Sequence, residues 1–274
     1  MTLIEQLATF ELKTVAFDGV QQSYREAGQG QTLVLLHGIS SGSGSWVKQL
    51  HSLSQHFHVI AWDAPGYGAS DVLATNTPNA TDYARRLKGL LDELGISKVI
   101  LVGHSLGAMQ ATAFTALYPE YVEALVIANV AQGYKGFDVQ KQQDIFKKRP
   151  KMLQELGATG MAYTRGPYLV AHATPEALQL IEHVMQGIHL QGFTQASYLL
   201  AYDRIQDYVK QYQQDVHVIK GMTDGITPPQ GIQTLVDDFQ LSHSYDIEDA
   251  GHLSYLDQAE QFNQILLSLR KVHM

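Results

Sequence analysis

The sequence predicts an α/β fold, in which a mostly parallel sheet carries helices on both faces and a helical segment is inserted late in the chain. Short apolar runs of strand length alternate with segments of helical spacing from residue 32 to residue 133. Between residues 134 and 207 the pattern is helical, and the alternation then resumes. Because such alternation is typical of parallel sheets, we expect a core domain over residues 1–133 and 208–274 and a helical cap, or lid, over residues 134–207.

The first predicted elements form a hairpin, and strands and helices then follow in turn. Residues 10–17 and 21–25 are two strands joined by Asp18-Gly19, a dipeptide that is typical of tight hairpin turns. The other predicted strands cover residues 32–36, 58–62, 99–102, 124–128, 216–219 and 244–247. The predicted helices outside the cap cover residues 47–53, 81–94, 106–117, 229–238 and 255–272. A capping signal at Thr81-Asp82 begins the second of these helices, and Gly95 ends it.

The composition excludes several classes of protein. The 274 residues are 45% hydrophobic, contain no cysteine and carry a formal net charge of −8. A disulfide framework, a thiolate nucleophile and a cysteine metal site are therefore excluded, and a nucleic-acid partner is disfavoured. We see neither a signal peptide nor an apolar run long enough to span a membrane, so we expect a cytoplasmic protein without a membrane partner. We expect its partner to be a small-molecule substrate and its state to be a monomer or a homodimer.

A serine between two glycines lies where a predicted buried strand becomes a helix. Residues 103–107 read Gly-His-Ser-Leu-Gly and connect the strand over 99–102 to the helix over 106–117. The two glycines lack a Cβ, which lets strand and helix approach each other closely around a sharp bend. A serine in such a bend is typically strained and presents its hydroxyl at the top of the sheet. We therefore predict that Ser105 is a nucleophile.

Two residues near the end of the chain are candidate partners of the serine. A serine hydroxyl needs a base to take its proton, and the base needs an acid to orient it. Asp224 follows the strand over residues 216–219, and His252 follows the last predicted strand. Catalytic groups collect at this edge of open α/β sheets, and the order nucleophile, acid, histidine is used on this kind of sheet. We predict Asp224 as the acid and His252 as the base, with Asp246 and Asp249 as competing carboxylates.

Acyl transfer also requires donors for the oxyanion that forms at the attacked carbonyl. The backbone N–H of Leu106, the residue after the candidate nucleophile, is one candidate donor. The other is the N–H of Ile39, in the loop that follows the strand over residues 32–36, where Gly38 permits a close approach. This chemistry requires no cofactor and no metal ion, and we predict none.

Together these motifs resemble the α/β-hydrolase superfamily. The resemblance rests on His37-Gly38, the segment Asp-Ala-Pro-Gly-Tyr-Gly-Ala-Ser over residues 63–70, the serine motif over 103–107, the Asp224 loop and Gly251-His252, all in the family's order. It covers nearly the whole chain and implies an eight-stranded, mostly parallel sheet with a helical lid. Within the superfamily the chain looks most like small bacterial carboxylesterases, enol-lactonases, cofactor-free perhydrolases and the hydrolases that cleave carbon–carbon bonds in aromatic ring-fission products.

The residues at and around the serine help to distinguish between subfamilies of the α/β-hydrolase superfamily. Haloalkane dehalogenases and epoxide hydrolases have an aspartate at the position of Ser105, which argues against both. Ring-fission hydrolases usually have an asparagine where this chain has His104, although the loop from Ser40 to Gly44 resembles their oxyanion loop. Hydrolysis of a small ester or lactone is therefore the first hypothesis, and C–C bond hydrolysis of a vinylogous diketo-acid is the alternative. A receptor that retains the triad and binds a small molecule is a further alternative.

Five residues are predicted to contact the substrate. They are Ser40, Trp46, His104, Met161 and Arg165. Trp46 would form a wall of the pocket below the oxyanion loop. Met161 is one of the apolar lid residues, and methionine suits a hydrophobic acyl site because it is adaptable. Arg165 could bind a substrate carboxylate through two parallel hydrogen bonds.

Overall fold

The computed structural model describes residues 1–211 and 215–271, and its centre is an eight-stranded sheet. The strands are β1 Lys13–Phe17, β2 Val20–Ala27, β3 Thr32–Leu36, β4 His58–Trp62, β5 Val99–His104, β6 Val122–Ala128, β7 Val216–Gly221 and β8 His243–Ile247. Their order across the sheet is β1-β2-β4-β3-β5-β6-β7-β8, in which β2 is antiparallel to both neighbours and the other pairs are parallel. The predicted eight-stranded, mostly parallel sheet is therefore confirmed.

Helices connect the strands and form the segment between β6 and β7. Within the described residues they are α1 Leu3–Leu7, α2 Val47–Leu53, α3 Ala80–Glu93, α4 Leu106–Leu117, α5 Val139–Arg165, α6 Pro175–Met185, α7 Leu190–Tyr202, α8 Gln206–Val209, α9 Pro229–Phe239, α10 Ser254–Asp257 and α11 Ala259–Ser268. The N-terminal α1 was not predicted; a capping box between Thr2 and Glu5 begins it.

The two central strands are buried on both faces, which explains their apolar sequences. Leu33 to Leu36 in β3 and Val99 to Val102 in β5 are each 0% exposed. A strand that is covered on both faces has no solvent side, so polar residues do not alternate with apolar ones along it. These strands hold the two loops that meet at the candidate nucleophile.

The helix α3 begins one residue earlier than predicted, and its cap is a different residue. Asn79 is the N-cap: its side chain accepts from the Thr81 N–H, and the Asp82 carboxylate accepts from the Asn79 N–H. The predicted Thr81-Asp82 signal was therefore wrong by two residues, because Thr81 lies inside the first turn and its hydroxyl donates to Asn79.

The prediction of one long helix from Tyr255 was also wrong. The chain leaves the helical conformation at Gln258 (φ −120°, ψ 55°), which separates α10 from α11. Side chains of α2 explain the break: Gln49 donates to the carbonyl of Tyr255 and Lys48 donates to the carbonyl of Leu256. In a continuous helix those carbonyls would accept from the next turn instead. The predicted end at Val272 lies outside the described residues.

The segment between β6 and β7 is helical throughout its described elements. It contains α5 to α8, and α5 is interrupted at Gly157, where φ is +66°. An isolated bridge between Gly133 and Arg204 joins the beginning and the end of the segment. The division into a core and a cap at residues 134 and 207 stays a prediction. In residues 1–211 and 215–271, no helix is both long and apolar enough to cross a membrane.

Two helical glycines give a matched test of the close approach between β3 and α4. A Cβ on Gly107 in α4 would lie 2.3 Å from the Leu36 carbonyl oxygen, whereas a Cβ on Gly231 in α9 would have only an ordinary contact at 3.7 Å.

We expect Gly107→Ala to lower the free energy of unfolding by about 1–3 kcal/mol or more, because the backbone of β3 or α4 must move to make room for the new methyl group. Gly231→Ala should raise it by up to about 1 kcal/mol, since alanine is the better helix former. Urea unfolding measures both, and equal effects would contradict the proposed packing constraint.

Candidate active site

Ser105 lies in a strained turn between β5 and α4. Its backbone has φ +54° and ψ −117°, a conformation that costs a residue other than glycine about 1–3 kcal/mol. The surrounding bonds hold it there: the Ser105 N–H donates to Ala128 O at 2.9 Å, and its carbonyl accepts from the Ala108 N–H at 3.0 Å. A Cβ on Gly103 would lie 2.3 Å from the Gly107 carbonyl oxygen, so both glycines are required for this turn. The predicted placement of Ser105 at the end of a buried strand agrees with this geometry.

The structure brings His252 and Asp224 together at the ends of β8 and β7. His252 Nδ1 lies 2.8 Å from Asp224 Oδ2, and both side chains are buried. An ionised carboxylate can only accept, so this contact assigns the imidazole proton to Nδ1 and leaves the lone pair on Nε2. His252 therefore presents an unprotonated nitrogen on the side away from Asp224.

Asp224 is saturated with hydrogen bonds. Its Oδ1 accepts from the N–H groups of Ile226 and Thr227, and its Oδ2 accepts from Asn129 and the Thr227 hydroxyl besides His252. Burial alone would raise the pKa of Asp224. The hydrogen bond and charge of His252, with the bonds from Thr227 and Asn129, outweigh burial and hold the pKa well below its usual value. Asp224 thus stays ionised throughout the neutral range.

The two competing carboxylates lie elsewhere. Asp249 is 61% exposed and pairs with His172, while Asp246 pairs with Lys220 at 2.9 Å. Neither contacts His252. Of the three acidic residues considered from the sequence, only Asp224 therefore contacts the histidine.

Asn129 is a residue of the site that sequence reasoning missed. It directly follows β6, has φ +46° and is 0% exposed. Its Nδ2 donates to Asp224 Oδ2 and to the Gly251 carbonyl, and its Oδ1 accepts from Ser254. The sequence signal that could have identified Asn129 is its position at the carboxyl end of a strand. Asparagine also adopts the left-handed conformation more readily than most residues do.

His104 contacts the backbone of the histidine loop. Its Nε2 lies 2.7 Å from the His252 carbonyl oxygen, and the two rings are 4.8 Å apart. Because a carbonyl only accepts, Nε2 carries the proton. Burial first, and then the nearby His252, lower the pKa of His104 to about 3, so its ring stays neutral. The ring of His104 is buried next to that of His252. The contact with a substrate that the sequence analysis predicts for His104 stays a prediction.

The two candidate oxyanion donors are backbone N–H groups that form no hydrogen bond within the described residues. Neither the Ile39 N–H nor the Leu106 N–H has a hydrogen-bond acceptor within the described part of the chain. A Cβ on Gly38 would lie 3.0 Å from the Ser105 Cβ, which places the loop that carries Ile39 directly against the serine. The Tyr67 hydroxyl donates to the Ile39 carbonyl at 2.7 Å and fixes this loop.

Ser105 Oγ forms no hydrogen bond with His252 in the described structure. Hydrogen bonds between a nucleophile and its base are often long in the absence of substrate and shorten in the complex. His252 Nδ1 also lies 3.2 Å from the Thr227 hydroxyl, which supports the ring from the side of Asp224. The described residues therefore contain the contact between Asp224 and His252 but no hydrogen bond between His252 and Ser105.

A small pocket lies next to the loops that carry Ile39 and His252. Its lining is apolar apart from three hydroxyl groups and carries no charged side chain: Ser40, Ser41, Ser45, Leu169, Leu180, Ile181, Val184, Leu253 and Leu256. The cavity volume is about 10 Å³, and four of the lining residues, at positions 169, 180, 181 and 184, come from the segment between β6 and β7. Ser40 lines this pocket, and its predicted contact with a substrate stays a prediction.

The other predicted pocket residues do not line this cavity. Trp46 is 0% exposed and stacks on Tyr255 at 4.0 Å, beneath His104. Met161 is 1% exposed and packs in the core of the cap segment. Arg165 is partly exposed at the end of α5. Their contacts with a substrate stay predictions.

The larger cavity has a different lining from the small pocket. It has a volume of about 180 Å³ and is lined by Arg25, Asp63, Tyr67 and the loop over residues 41–44, among others. Neither Ser105 nor His252 lines either cavity. We associate the chemistry with the small pocket because two of its lining residues, Ser40 and Leu253, directly follow Ile39 and His252 in the chain. In the described residues, no group of three or more histidines and carboxylates is placed to hold a metal ion.

Two arginines of α5 lack carboxylate partners in the described residues. They are Arg149 and Arg165. Burial, and then the like charge of Arg165, lower the pKa of Arg149, while the phenol of Tyr67 acts in the opposite direction. Arg149 lies two turns after Gln142, whose side chain donates to the Tyr134 carbonyl, so both residues lie on the inner face of α5.

Comparison with known proteins agrees with the fold. A family model described as "alpha/beta hydrolase fold" matches residues 31–259. A 2-hydroxy-6-oxononadienedioate/2-hydroxy-6-oxononatrienedioate hydrolase of Paraburkholderia phymatum is 30% identical over 259 residues, which are 89% of this chain and 88% of that protein.

Two solved structures share the fold. An esterase of Thermogutta terrifontis has a TM-score of 0.83 at 24% identity and covers 96% of this chain and 100% of its own. An enol-lactonase of Burkholderia xenovorans has a TM-score of 0.79 at 20% identity and covers 94% of this chain and 99% of its own.

The ionised Asp224 makes the stability of the protein depend on pH. Because its folded pKa is lowered, its contribution is present above the unfolded value of about 3.9 and is lost as the pH falls through the folded value. At pH 7 we expect Asp224→Asn to lower the free energy of unfolding by about 1–3 kcal/mol. The difference from the wild type should shrink below about pH 4, as urea unfolding across the acid range would measure.

The control for this test is Glu155→Gln, which removes an ion pair with Lys151 in which both side chains are exposed. Its effect should stay below about 1 kcal/mol at every pH. A difference for Asp224→Asn that does not change with pH would contradict the ionised assignment.

Proposed function

The chain belongs to the α/β-hydrolase family and is a hydrolase, and we propose that it hydrolyses a small carboxylic ester or lactone with Ser105 as nucleophile. The observation that carries the proposal is the contact of 2.8 Å between His252 and Asp224, together with a strained serine next to two backbone N–H groups that have no acceptor among the described residues. A serine, a histidine with a free Nε2 and an ionised carboxylate are the three roles that acyl transfer by a serine requires.

In the proposed reaction Ser105 Oγ attacks the substrate carbonyl carbon while His252 Nε2 takes the hydroxyl proton. Asp224 holds the ring through Nδ1 and stabilises the imidazolium that forms. His252 then gives the proton to the leaving alcohol oxygen as the C–O bond breaks, which leaves an acyl group on Ser105. Water, deprotonated by His252, attacks the acyl-enzyme and releases the acid and the free serine.

The N–H groups of Ile39 and Leu106 receive the negative oxygen of the tetrahedral intermediate. Both N–H groups are without an acceptor in the described structure, so no bond within the protein has to break when the oxyanion forms. Donors that are fixed in advance stabilise developing charge without reorganisation, and one such donor is worth about 3–4 kcal/mol.

The lining of the small pocket supports an uncharged, apolar acyl group. Six of its nine residues are Leu, Ile or Val, and the other three are serines. A free carboxylate in this pocket would lose its hydration and find no cation, which is costly. Ester or lactone hydrolysis is therefore the first candidate.

C–C bond hydrolysis is the second candidate, and two observations favour it. The relative from Paraburkholderia phymatum, whose name describes dioate substrates, matches nearly the full length of this chain. Arg149 and Arg165, which lack carboxylate partners in the described residues, could receive the carboxylates of such a substrate from the cap segment.

An ester series with a serine variant tests the first candidate. We expect p-nitrophenyl acetate and butyrate to be hydrolysed at least ~10-fold more efficiently than the laurate ester, because the small apolar pocket beside Leu253 leaves little room for a long acyl chain. Ser105→Ala should lower kcat at least ~10³-fold while the circular dichroism spectrum stays unchanged. The matched control is Ser54→Ala at the end of α2, which should retain full activity. Full activity of Ser105→Ala would refute the proposal.

A vinylogous diketo-acid tests the second candidate. If it is cleaved, Arg149→Met or Arg165→Met should raise its KM about 10–100-fold, the effect of losing a hydrogen bond to a charged group, and leave ester turnover unchanged. Arg85→Met, which removes an exposed arginine from α3, is the control. Unchanged KM in both cap variants would remove the arginines from the proposal. Tight binding without turnover of either substrate would favour a receptor.

A further inference from the structure

A short segment of the cap lies directly on the loop that carries His252. We call residues 169–172, which precede α6, the strap, and residues 249–253 the histidine loop. The Leu253 N–H donates to the Leu169 carbonyl at 2.8 Å. A Cβ on Gly251 would lie 2.7 Å from the Val170 carbonyl carbon, so the two backbones are in direct contact.

Asp257, the last residue of α10, joins the strap to the histidine loop. Its Oδ2 accepts from the Ala171 N–H at 2.9 Å and from the Gly251 N–H at 2.8 Å. One carboxylate oxygen thus holds a residue of the cap and the residue that precedes His252. Burial outweighs these two bonds and raises the pKa of Asp257.

The remaining contacts of His252 come from the core. His104 donates to its carbonyl at 2.7 Å, and Asp224 accepts from its ring at 2.8 Å. The backbone on either side of His252 is held by Asp257, which accepts from the Gly251 N–H, and by the strap, whose Leu169 carbonyl accepts from the Leu253 N–H. The position of His252 therefore depends on the cap segment as well as on the sheet.

We propose that Asp257 is a positioning residue that fastens the strap to the histidine loop, so that closure of the cap sets His252 for catalysis. The inference rests on the proposed role of His252 as the base.

The hydrogen bond between the strap and the histidine loop lies at the edge of the small pocket. Leu169 and Leu253 both line the small pocket, and they are the two residues joined by the backbone bond between strap and loop. A substrate group that enters this pocket would therefore contact the strap and the histidine loop at once.

The test compares two variants of Asp257 with a matched control. Asp257→Ala removes the shared acceptor, whereas Asp257→Asn keeps an oxygen that can accept both bonds. The control is Asp203→Ala: the Asp203 carboxylate accepts from the Ala80 N–H and the Tyr208 hydroxyl and joins the end of α7 to the start of α3, away from His252. Both alanine variants lose buried hydrogen bonds between the cap segment and its surroundings.

Two measurements separate positioning from stability. One is kcat and KM with p-nitrophenyl acetate. The other is the rate of inactivation by a fluorophosphonate, in which Ser105 Oγ bonds to phosphorus, fluoride leaves and His252 takes the proton. The second measurement needs no knowledge of the natural substrate. Labelling of the wild type at Ser105, with none in Ser105→Ala, first establishes the proposed function independently of Asp257.

We expect Asp257→Ala to lower kcat and the inactivation rate about 10–100-fold with little change in KM, because a displacement of about 1 Å in a reacting group has effects of this size. Asp257→Asn should restore most of the loss, and Asp203→Ala should keep both rates near the wild-type values. Wild-type rates in Asp257→Ala, or an equal loss in Asp203→Ala, would overturn the proposal.

Asp257→Glu provides the test if Asp257→Ala does not fold. It keeps the charge but moves the carboxylate by one methylene, so kcat should fall while KM is retained. Wild-type kcat in the folded glutamate variant would overturn the proposal as well.

Discussion

The close approach of β3, β5 and α4 is the constraint on which the rest of the site depends. Gly103, Gly107 and Gly38 have no room for an unshifted Cβ, because backbone or the serine itself lies 2.3 to 3.0 Å from where it would be. This contact forces Ser105 into a positive φ and places the loop with Ile39 against it. The nucleophile and both candidate oxyanion donors are thus fixed by one packing arrangement. About 1–3 kcal/mol of backbone strain at Ser105 is retained because the surrounding packing leaves no alternative.

Much of the site follows from the sequence because parallel strands end at one edge of the sheet. An apolar run identifies each strand, and the residue after it must lie at that edge, so Ser105, Asp224 and His252 could be named from order and spacing alone. Asn129 follows the same rule, after β6, but an amide has no single chemical role that would have distinguished it. The break at Gln258 could not be predicted, because its cause is two side chains of α2 that are distant in sequence.

The pocket was less predictable than the reactive groups for a physical reason. Helical spacing shows which face of a helix is buried, but not whether that face meets another helix or a cavity. Met161 and Trp46 are both buried, yet they pack against neighbouring side chains and not against the small pocket. Ser40 could be placed because it follows a strand, where the loop must pass the serine.

Three buried or half-buried carboxylates hold the loops of the site through backbone N–H groups. Asp63 accepts from Ser43 in the oxyanion loop, Asp224 from Ile226 and Thr227, and Asp257 from Ala171 and Gly251. None of these carboxylates forms an ion pair with Lys or Arg in the described residues.

A backbone donor cannot swing away as a long cationic side chain can, so each of these bonds restricts its loop to one conformation. For a reaction whose transition state carries charge on an oxygen, loops fixed in advance are more effective than loops that must reorganise. Asp257 differs from the other two in one respect: one of its two donors belongs to the cap. The same kind of bond that makes the core loops rigid therefore makes the histidine loop sensitive to the position of the cap.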